Sequence, residues 1–372
     1  MKKLKEYHHK AQFWKKFSMG PLQDFNDKRL ILPFPKHRKA LLIIGFLPLL
    51  LSSACSDKAT DQLVKDSQKA PLPIYYDADL EKESANVVHI ATQLTQDYQP
   101  ITWHFDHKDF KLASGILARD QDLIVLDGDN DCLLLLDYNG KIIKKVGHTG
   151  SGPLEFANPT ALTMKDDCLY IVDGMNDRVQ ILDKDLNYMR EIKLERKEYI
   201  AEFSFEDIAI DQNETLYVSG NVFDHPGILY YKKDESSGHW IDAYFNGYLA
   251  ELDGQVYAIN SGVFSISDKS IDSFQTGENY LLKVTEEGLT RVCELPYGIN
   301  SYDFILSQQE LISISRGFYQ LLRLSPEGAY IDSIGELDLS HTLTGHITKD
   351  KNDNYYFTDG KSNKIYVFKK GQ

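Results

Sequence analysis

The sequence is short of basic charge, with 41 Lys and Arg against 55 Asp and Glu, a net of −14 over 372 residues. Nucleic acids and other polyanions are held by Lys and Arg that neutralise their phosphates, so this balance argues against them as partners. Cysteine is scarce: only Cys55, Cys132, Cys168 and Cys293 are present. The apolar run Ala40–Leu51 has 12 residues, too few to span a bilayer, which takes about 20. No catalytic signature of a known kind can be read anywhere in the chain.

That apolar run follows Lys36, Arg38 and Lys39 and precedes Ser52-Ser-Ala-Cys55, the layout of a secretory signal ending in small residues. Small residues before a cysteine, then polar Ser56–Asp61, resemble a bacterial lipobox, which implies lipidation of Cys55. The sequence therefore reads as a signal peptide over 1–54, a flexible tether over 55–73 and a folded domain over 74–372. Removal of the first 54 residues takes away 11 basic and 3 acidic side chains, leaving 30 against 52, a net of −22. The tether is polar, too poor in apolar surface to order itself. Cys132, Cys168 and Cys293 are then an odd number in an exported chain. Cys132 and Cys168 open strands of neighbouring units that run oppositely, too far apart to pair, and all three are expected to be buried, inert thiols.

The domain is all-β by pattern. Between Val146 and Asp183 a loop with Gly147, Gly150 and Gly152 is followed by Ala161–Met164, Cys168–Val172 and Arg178–Leu182, short β-branched and aromatic runs separated by Asp, Asn and Gly. Such runs read as an up-and-down antiparallel meander. Asp127-Gly, Asp173-Gly and Asp359-Gly each close one strand run and start the next. A period of about 40–50 residues with four strands per period is the signature of a propeller blade.

Gly147-x-x-Gly150-x-Gly152-Pro-x-Glu-Phe156-x-x-Pro159, with Tyr170-Ile-Val-Asp173 and Asn176-Asp-Arg178-Val-Gln-Ile-Leu182, resembles an NHL repeat, a unit of six-bladed propellers. The resemblance extends to exported six-bladed propeller lipoproteins of Bacteroides-type bacteria. It implies an all-β, six-bladed β-propeller of four-stranded antiparallel blades. Inner strands are expected to begin near Ala113, Pro159, Asp207, Tyr248, Asp303 and Gly345, with an insertion at Ser265–Gly277. The last blade has only three strands before the chain ends, and an open edge of unpaired backbone is a liability. An N-terminal strand, Val87–Thr92 or Ile101–Phe105, is expected to close the ring.

Several motifs point to chemistry and then fall short of it. The loop Gly147–Gly152 suggests a phosphate cradle, but Pro153 stands where a phosphate loop has Lys and no helix follows. Asp127-Gly-Asp129-Asn-Asp131 begins like a calcium loop, yet Cys132 and Tyr138 replace its Gly and its bidentate Glu. Asp183–Asn187 and Asp350–Asn354 fail in the same way, and all three read as turns closed by Asx side chains. His104-x-x-His107 has no supporting third ligand. Arg178 reads as a structural link.

Loops between blades surround the mouth of the central channel on one face. The residues they deliver to it include Glu155 and Phe156, with Asn158, Glu206, Asp207, Tyr302, Asp303 and His346 as the candidate ligand-binding set. No catalytic residue, metal ligand or cofactor is assigned. The functional expectation is a lipid-anchored module of the bacterial cell envelope, periplasmic or on the surface of the outer membrane, binding a peptide, glycan or envelope protein. It touches the membrane only through its anchor and does not bind nucleic acid. The alternative is a propeller enzyme of lyase, lactonase or esterase type, needing calcium, zinc or an acid/base pair in the channel.

Overall fold

The short runs of Val, Ile, Leu and Tyr form strands because branched and aromatic side chains fill a pleated, buried surface, while Asp, Asn and Gly close the turns. The computed structural model describes residues 94–195, 204–221, 227–241, 245, 247–260, 263–267, 270–275, 279–296, 299, 301–315, 319–337, 345–360 and 362–371, all within the unit Asp66–Gln372. Cys55, the expected signal and tether, and Val87–Thr92 lie outside the described residues. Among the described residues no helix is long and apolar enough to cross a membrane.

Six four-stranded antiparallel sheets follow one another. Blade 1 begins with its inner strand at Ala113–Ala118 and ends at Ile142–Val146. Blade 2 runs from Pro159–Lys165 to Tyr188–Lys193, and blade 3 from Ser204–Ile210 to His239–Ile241. Blade 4 runs from Gly247–Leu252 to Gly288–Leu295, and blade 5 from Ser301–Leu306 to Tyr330–Glu336. Blade 6 contributes His346–Lys349, Tyr355–Thr358 and Lys364–Lys370. Each inner strand packs against those of the blades before and after it, and the sixth returns to the first. The expected strand starts hold to within three residues, and the insertion carries a hairpin, Val263–Ser267 with Ser270–Gln275.

The fourth strand of blade 6 is Tyr98–His104, paired in register from Tyr98 opposite Lys370 to His104 opposite Lys364. Of the two runs expected to supply it, the one around Ile101 does. The chain ahead of it touches blade 5, where the Thr95 amide donates to the Ser333 carbonyl at 2.8 Å. His104 and His107 lie exposed at the end of this strand.

Apolar faces of adjacent blades pack on each other, as Val172, Val179 and Ile181 of blade 2 do with Ile208, Ile210 and Val218 of blade 3. Polar side chains stitch the junctions between blades, Gln308 of blade 5 donating to Asp253 of blade 4 among them. The hydroxyls of Ser114, Thr160 and Ser219 donate to the carbonyls of Pro159, Phe205 and Gly247 in the next blade, at 2.7, 2.8 and 2.9 Å. The Ala118 amide of blade 1 donates to the Thr348 hydroxyl of blade 6 at 3.0 Å. Two further stitches belong to the site described below.

The Asp-rich turns behave as turns. Asp183 Oδ1 accepts from the Asp185 and Asn187 amides at 2.9 and 2.8 Å, and Asp350 Oδ1 from those of Asn352 and Asn354 at 2.8 and 3.0 Å. The cysteines depart in part from expectation. Cys132 is buried, but Cys168 and Cys293 are only half-buried, because both lie on strands near a blade's outer or lower rim. Burial pushes the Cys132 and Cys293 thiols up to about 11, so these two stay protonated and poorly nucleophilic.

Candidate functional site in the central channel

Four inner strands carry a register shift near their start: between Ala113 and Gly115, Pro159 and Ala161, Phe205 and Asp207, and Ser301 and Phe304. A bulge re-aims the residue it leaves unpaired. In blades 1 and 2 that residue is Ser114 or Thr160, and each is spent on a stitch to the next blade. In blades 3 and 5 the shifts fall on Glu206, and on Tyr302 and Asp303, which brings acidic groups to the channel.

Both Asp207 and Asp303 are buried and tie their blade to the following one. Asp207 Oδ1 accepts the Ile208 amide at 2.8 Å and Oδ2 the Leu249 amide of blade 4 at 2.7 Å. Asp303 repeats the arrangement, with Phe304 at 2.7 Å and Ile347 of blade 6 at 2.9 Å. His346 Nδ1 lies 3.5 Å from Asp303 Oδ2. The ring of Tyr248 stands edge-on to the imidazole with centroids 5.8 Å apart.

Burial pushes the Asp207 carboxyl up to about 7, the charge on Asp303 adding to the effect and His346 opposing it. Burial disfavours the His346 imidazolium, but the hydrogen bond and charge of Asp303, with Asp207 and Glu206, outweigh it and leave its pKa above the ordinary value. Burial, followed by the charges of Glu206, Asp303 and Asp207, holds the Tyr248 phenol well above the usual range.

A cavity of about 130 Å³ lies between the inner strands. Asp207, Asp303 and His346 line one side of it, and Ile116, Leu117 and Leu162 from blades 1 and 2 line the other. Of the six expected site residues, these three are therefore brought together at the cavity. Glu206 and Tyr302 sit beside it on the bulges without lining it. Asn158 is exposed on the rim, held in a left-handed conformation (φ 52°) with its amide donating to Asp131 Oδ1 at 2.7 Å. Tyr248 was not in the expected set. It occupies the second position of blade 4's inner strand, where residue type alone did not distinguish it from a core tyrosine.

Glu155 and Phe156 are elsewhere. Phe156 is fully buried in the core, and Glu155 is wrapped by the glycine-rich loop, its Oε2 accepting from the Ser151 and Gly152 amides at 2.9 and 2.8 Å. The anion that this loop cradles is the protein's own. Those two amide bonds hold the Glu155 carboxyl below the usual carboxylate range, and a Cβ on Gly150 would fall 2.2 Å from its Oε2. Arg178 pins the same loop from below. Its guanidinium donates to Asp173 at 2.9 Å, Glu191 at 2.6 Å and the carbonyls of Ser151, Gly152 and Glu155 at 2.8, 2.9 and 2.7 Å. With its donors so engaged it is a structural link, as its sequence context suggests.

A larger cavity of about 420 Å³ lies away from the channel, between blades 2 and 3, with Tyr170, Leu216 and Tyr231 at its floor. Its charged rim is largely self-neutralised, Lys232 pairing with Glu286 at 2.5 Å and Lys233 with Glu214. The channel site is the stronger candidate because its ionisable groups are buried and come from separate blades. Among the described residues no three His, Cys, Asp or Glu side chains are placed to hold one metal ion. Each carboxylate oxygen of Asp207 and Asp303 also already accepts a backbone amide.

A sequence-family model described as 6-bladed beta-propeller matches residues 106–302. No curated protein matches the chain. Solved structures with a similar fold include a luciferin-regenerating enzyme, at 9% identity and a TM-score of 0.52 over 74% of this chain and 98% of that one. A protein described as a gluconolactonase aligns at 11% identity and 0.51 over 75% and 94%. A protein of Bacteroides fragilis described as exported aligns at 10% and 0.47 over 75% and 98%. At such identities the likeness shows the propeller alone.

Proposed function

Because the chain belongs to the 6-bladed beta-propeller family, whose fold fixes where a site lies but not its chemistry, we propose that it is a binding module. It holds a peptide, glycan or partner protein on the face where the channel opens. Asn158, Glu206 and Tyr302 stand at the rim, and Asp207, Asp303 and His346 lie below. The observation that carries this reading is the convergence of those last three buried, ionisable groups on one cavity. Ionisable groups whose protonation is shifted by burial and by a charged neighbour, and that line a cleft, mark a candidate functional site.

The cavity is small against the roughly 300–1,000 Å³ of a site that swallows a whole ligand, so the ligand rests on the rim and reaches inward with one group. A screen of peptides and glycans supplies the ligand. Asp303→Asn and His346→Gln are expected to weaken it at least tenfold, whereas Asp166→Asn and Asp185→Asn on the opposite face leave it unchanged. The reverse pattern places the site on the wrong face and ends the proposal.

The chain is exported and anchored through a lipid on Cys55, a reading supported by the apolar run and the Ser52-Ser-Ala-Cys55 sequence. Cys55→Ala is expected to move the protein from the membrane fraction to the soluble one; full retention in the membrane rejects the anchor. An enzyme of lyase, lactonase or esterase type is the second reading, favoured by the orientation of His346 by Asp303, the relation a general base needs. Turnover of an ester or lactone that disappears in His346→Gln is the result that would establish it.

A further inference from the structure

The channel has a surplus of hydrogen-bond acceptors and a shortage of positive charge. No Lys or Arg lines the cavity. Each oxygen of Asp207 and Asp303 accepts one backbone amide; Asp303 Oδ2 also faces His346 Nδ1, and the other three keep a second lone pair. Independently of those carboxylates, two nearly sequestered polar atoms lack a hydrogen-bond partner among the described residues. They are the hydroxyl of Tyr248, a residue 3% exposed, and Nε2 of His346, a residue 6% exposed. A buried polar atom left unmet is costly, and folded proteins meet such atoms with water or a ligand.

From this geometry we infer that the channel takes a primary ammonium group on an alkyl stem, held between Asp207, Asp303 and His346, which line the cavity, with Tyr248 packed beside the imidazole. The inference rests on the binding-module reading and names the chemistry of its ligand. An ammonium offers three donors and no acceptor, which matches a site of carboxylate oxygens, a phenol oxygen and an imidazole Nε2 that accepts while Nδ1–H faces Asp303. The wall of Ile116, Leu117 and Leu162 opposite suits the methylenes behind the charge. A cavity of about 130 Å³ admits such a stem and excludes a sugar ring carrying its full hydration. A hard divalent cation would need the ligand cluster that is absent among the described residues. A lysine side chain and the amino terminus of a peptide share this chemistry.

Protons compete with the ammonium for the same oxygens. The ionisable groups facing the site are Glu206 and Asp207 on blade 3, Tyr248 and Glu251 on blade 4, Tyr302 and Asp303 on blade 5 and His346 on blade 6; the lining of blades 1 and 2 supplies none. Burial raises the Asp207 carboxyl to about 7, so on the acid side of neutrality this carboxyl holds a proton that binding of the cation releases.

The test titrates the purified protein with methylammonium chloride against sodium chloride and calcium chloride at matched ionic strength, by calorimetry and thermal midpoint. Saturable methylammonium binding is expected at pH 7.5, weakening about tenfold for each pH unit lost on the way to pH 5.5. Asp303→Asn should abolish it. Tyr248→Phe, which keeps the buried ring and so the fold, should weaken it several-fold. Two peptides then separate the sources: one with a free amino terminus and no lysine, one N-acetylated with a single lysine. No saturation at pH 7.5, saturation by calcium instead, or equal binding by Tyr248→Phe and wild type overturns the inference. A neutral glycan that loses affinity in Asp303→Asn also overturns it, while leaving the binding module standing; a ligand that maps to the opposite face removes both.

Discussion

The ring is closed by one strand, and Trp103 on that strand is the side chain to remove. Its ring lies 5.7 Å from that of Tyr356 in blade 6, and a Cβ on Gly140 in blade 1 would fall 2.7 Å from its Cδ2. Trp103 therefore touches the last blade and the first together. Full burial makes a Trp→Ala change cost about 3–5 kcal/mol, and because Trp103 is half-buried we expect Trp103→Ala to cost about 2–3 kcal/mol. At about 2–4 °C per kcal/mol for domains slightly smaller than this one, the thermal midpoint should fall by roughly 4–12 °C. A chain beginning at Lys111 loses the strand altogether and exposes the backbone of Lys364–Lys370 as an open edge; it should aggregate or melt far below a chain beginning at Lys69. A peptide covering residues 94–106, added in excess, should restore part of the difference. Equal midpoints for the two chains, or a midpoint unchanged in Trp103→Ala, would show that the blades close without this strand.

Arg178→Met should destabilise by about 3–5 kcal/mol in chemical denaturation, because it leaves the buried Asp173 carboxylate without its partner. Arg178→Lys should recover less than half of that, since one ammonium cannot reach five acceptors; full recovery would contradict a fork-shaped role. The channel also sets a pH dependence of stability. Asp207 is raised to about 7, so the stability it adds is complete below about pH 4, the ordinary carboxylate value, and is lost as pH rises through 7. His346 is raised too and loses its contribution as pH climbs past its folded value, in the same direction. The lowered carboxyls Asp137, Asp183 and Asp353 act below that window. The midpoint should therefore fall between pH 5.5 and pH 8, by a margin that shrinks in Asp207→Asn; an unchanged slope in the variant assigns the effect elsewhere.

The blades were legible because each is a local object. Asp127 and Asp173 recur since each sits buried at the end of a second strand and caps the loop into its own blade, Asp127 through the Leu112 amide at 3.1 Å and Asp173 through that of Ala157 at 2.7 Å. Such contacts span some 15 residues and leave a repeated word in the chain. The site is not local. Tyr248, Asp303 and His346 come from three blades, and which neighbours meet is decided by bulges that no residue type announces. Glu155 shows the opposite failure. It stands at the predicted place in sequence, but the Ser151 and Gly152 amides of the same loop reach its carboxylate first.

The strand that closes blade 6 is the first piece of the described chain and its partner is the last. Asn363 Nδ2 reaches the carbonyl of Phe105 across 258 residues of sequence. Chains emerge at about 5–20 residues per second, so this strand waits on the order of 10–50 s for the residues it must pair with. During that interval it is a solitary β-segment in a crowded setting, the kind of sequence that recruits copies of itself. Pro100, which has no amide hydrogen to offer a second chain, interrupts it near its centre. Ring closure is then the final event in the domain's birth, completed when these seven residues pair with the last strand.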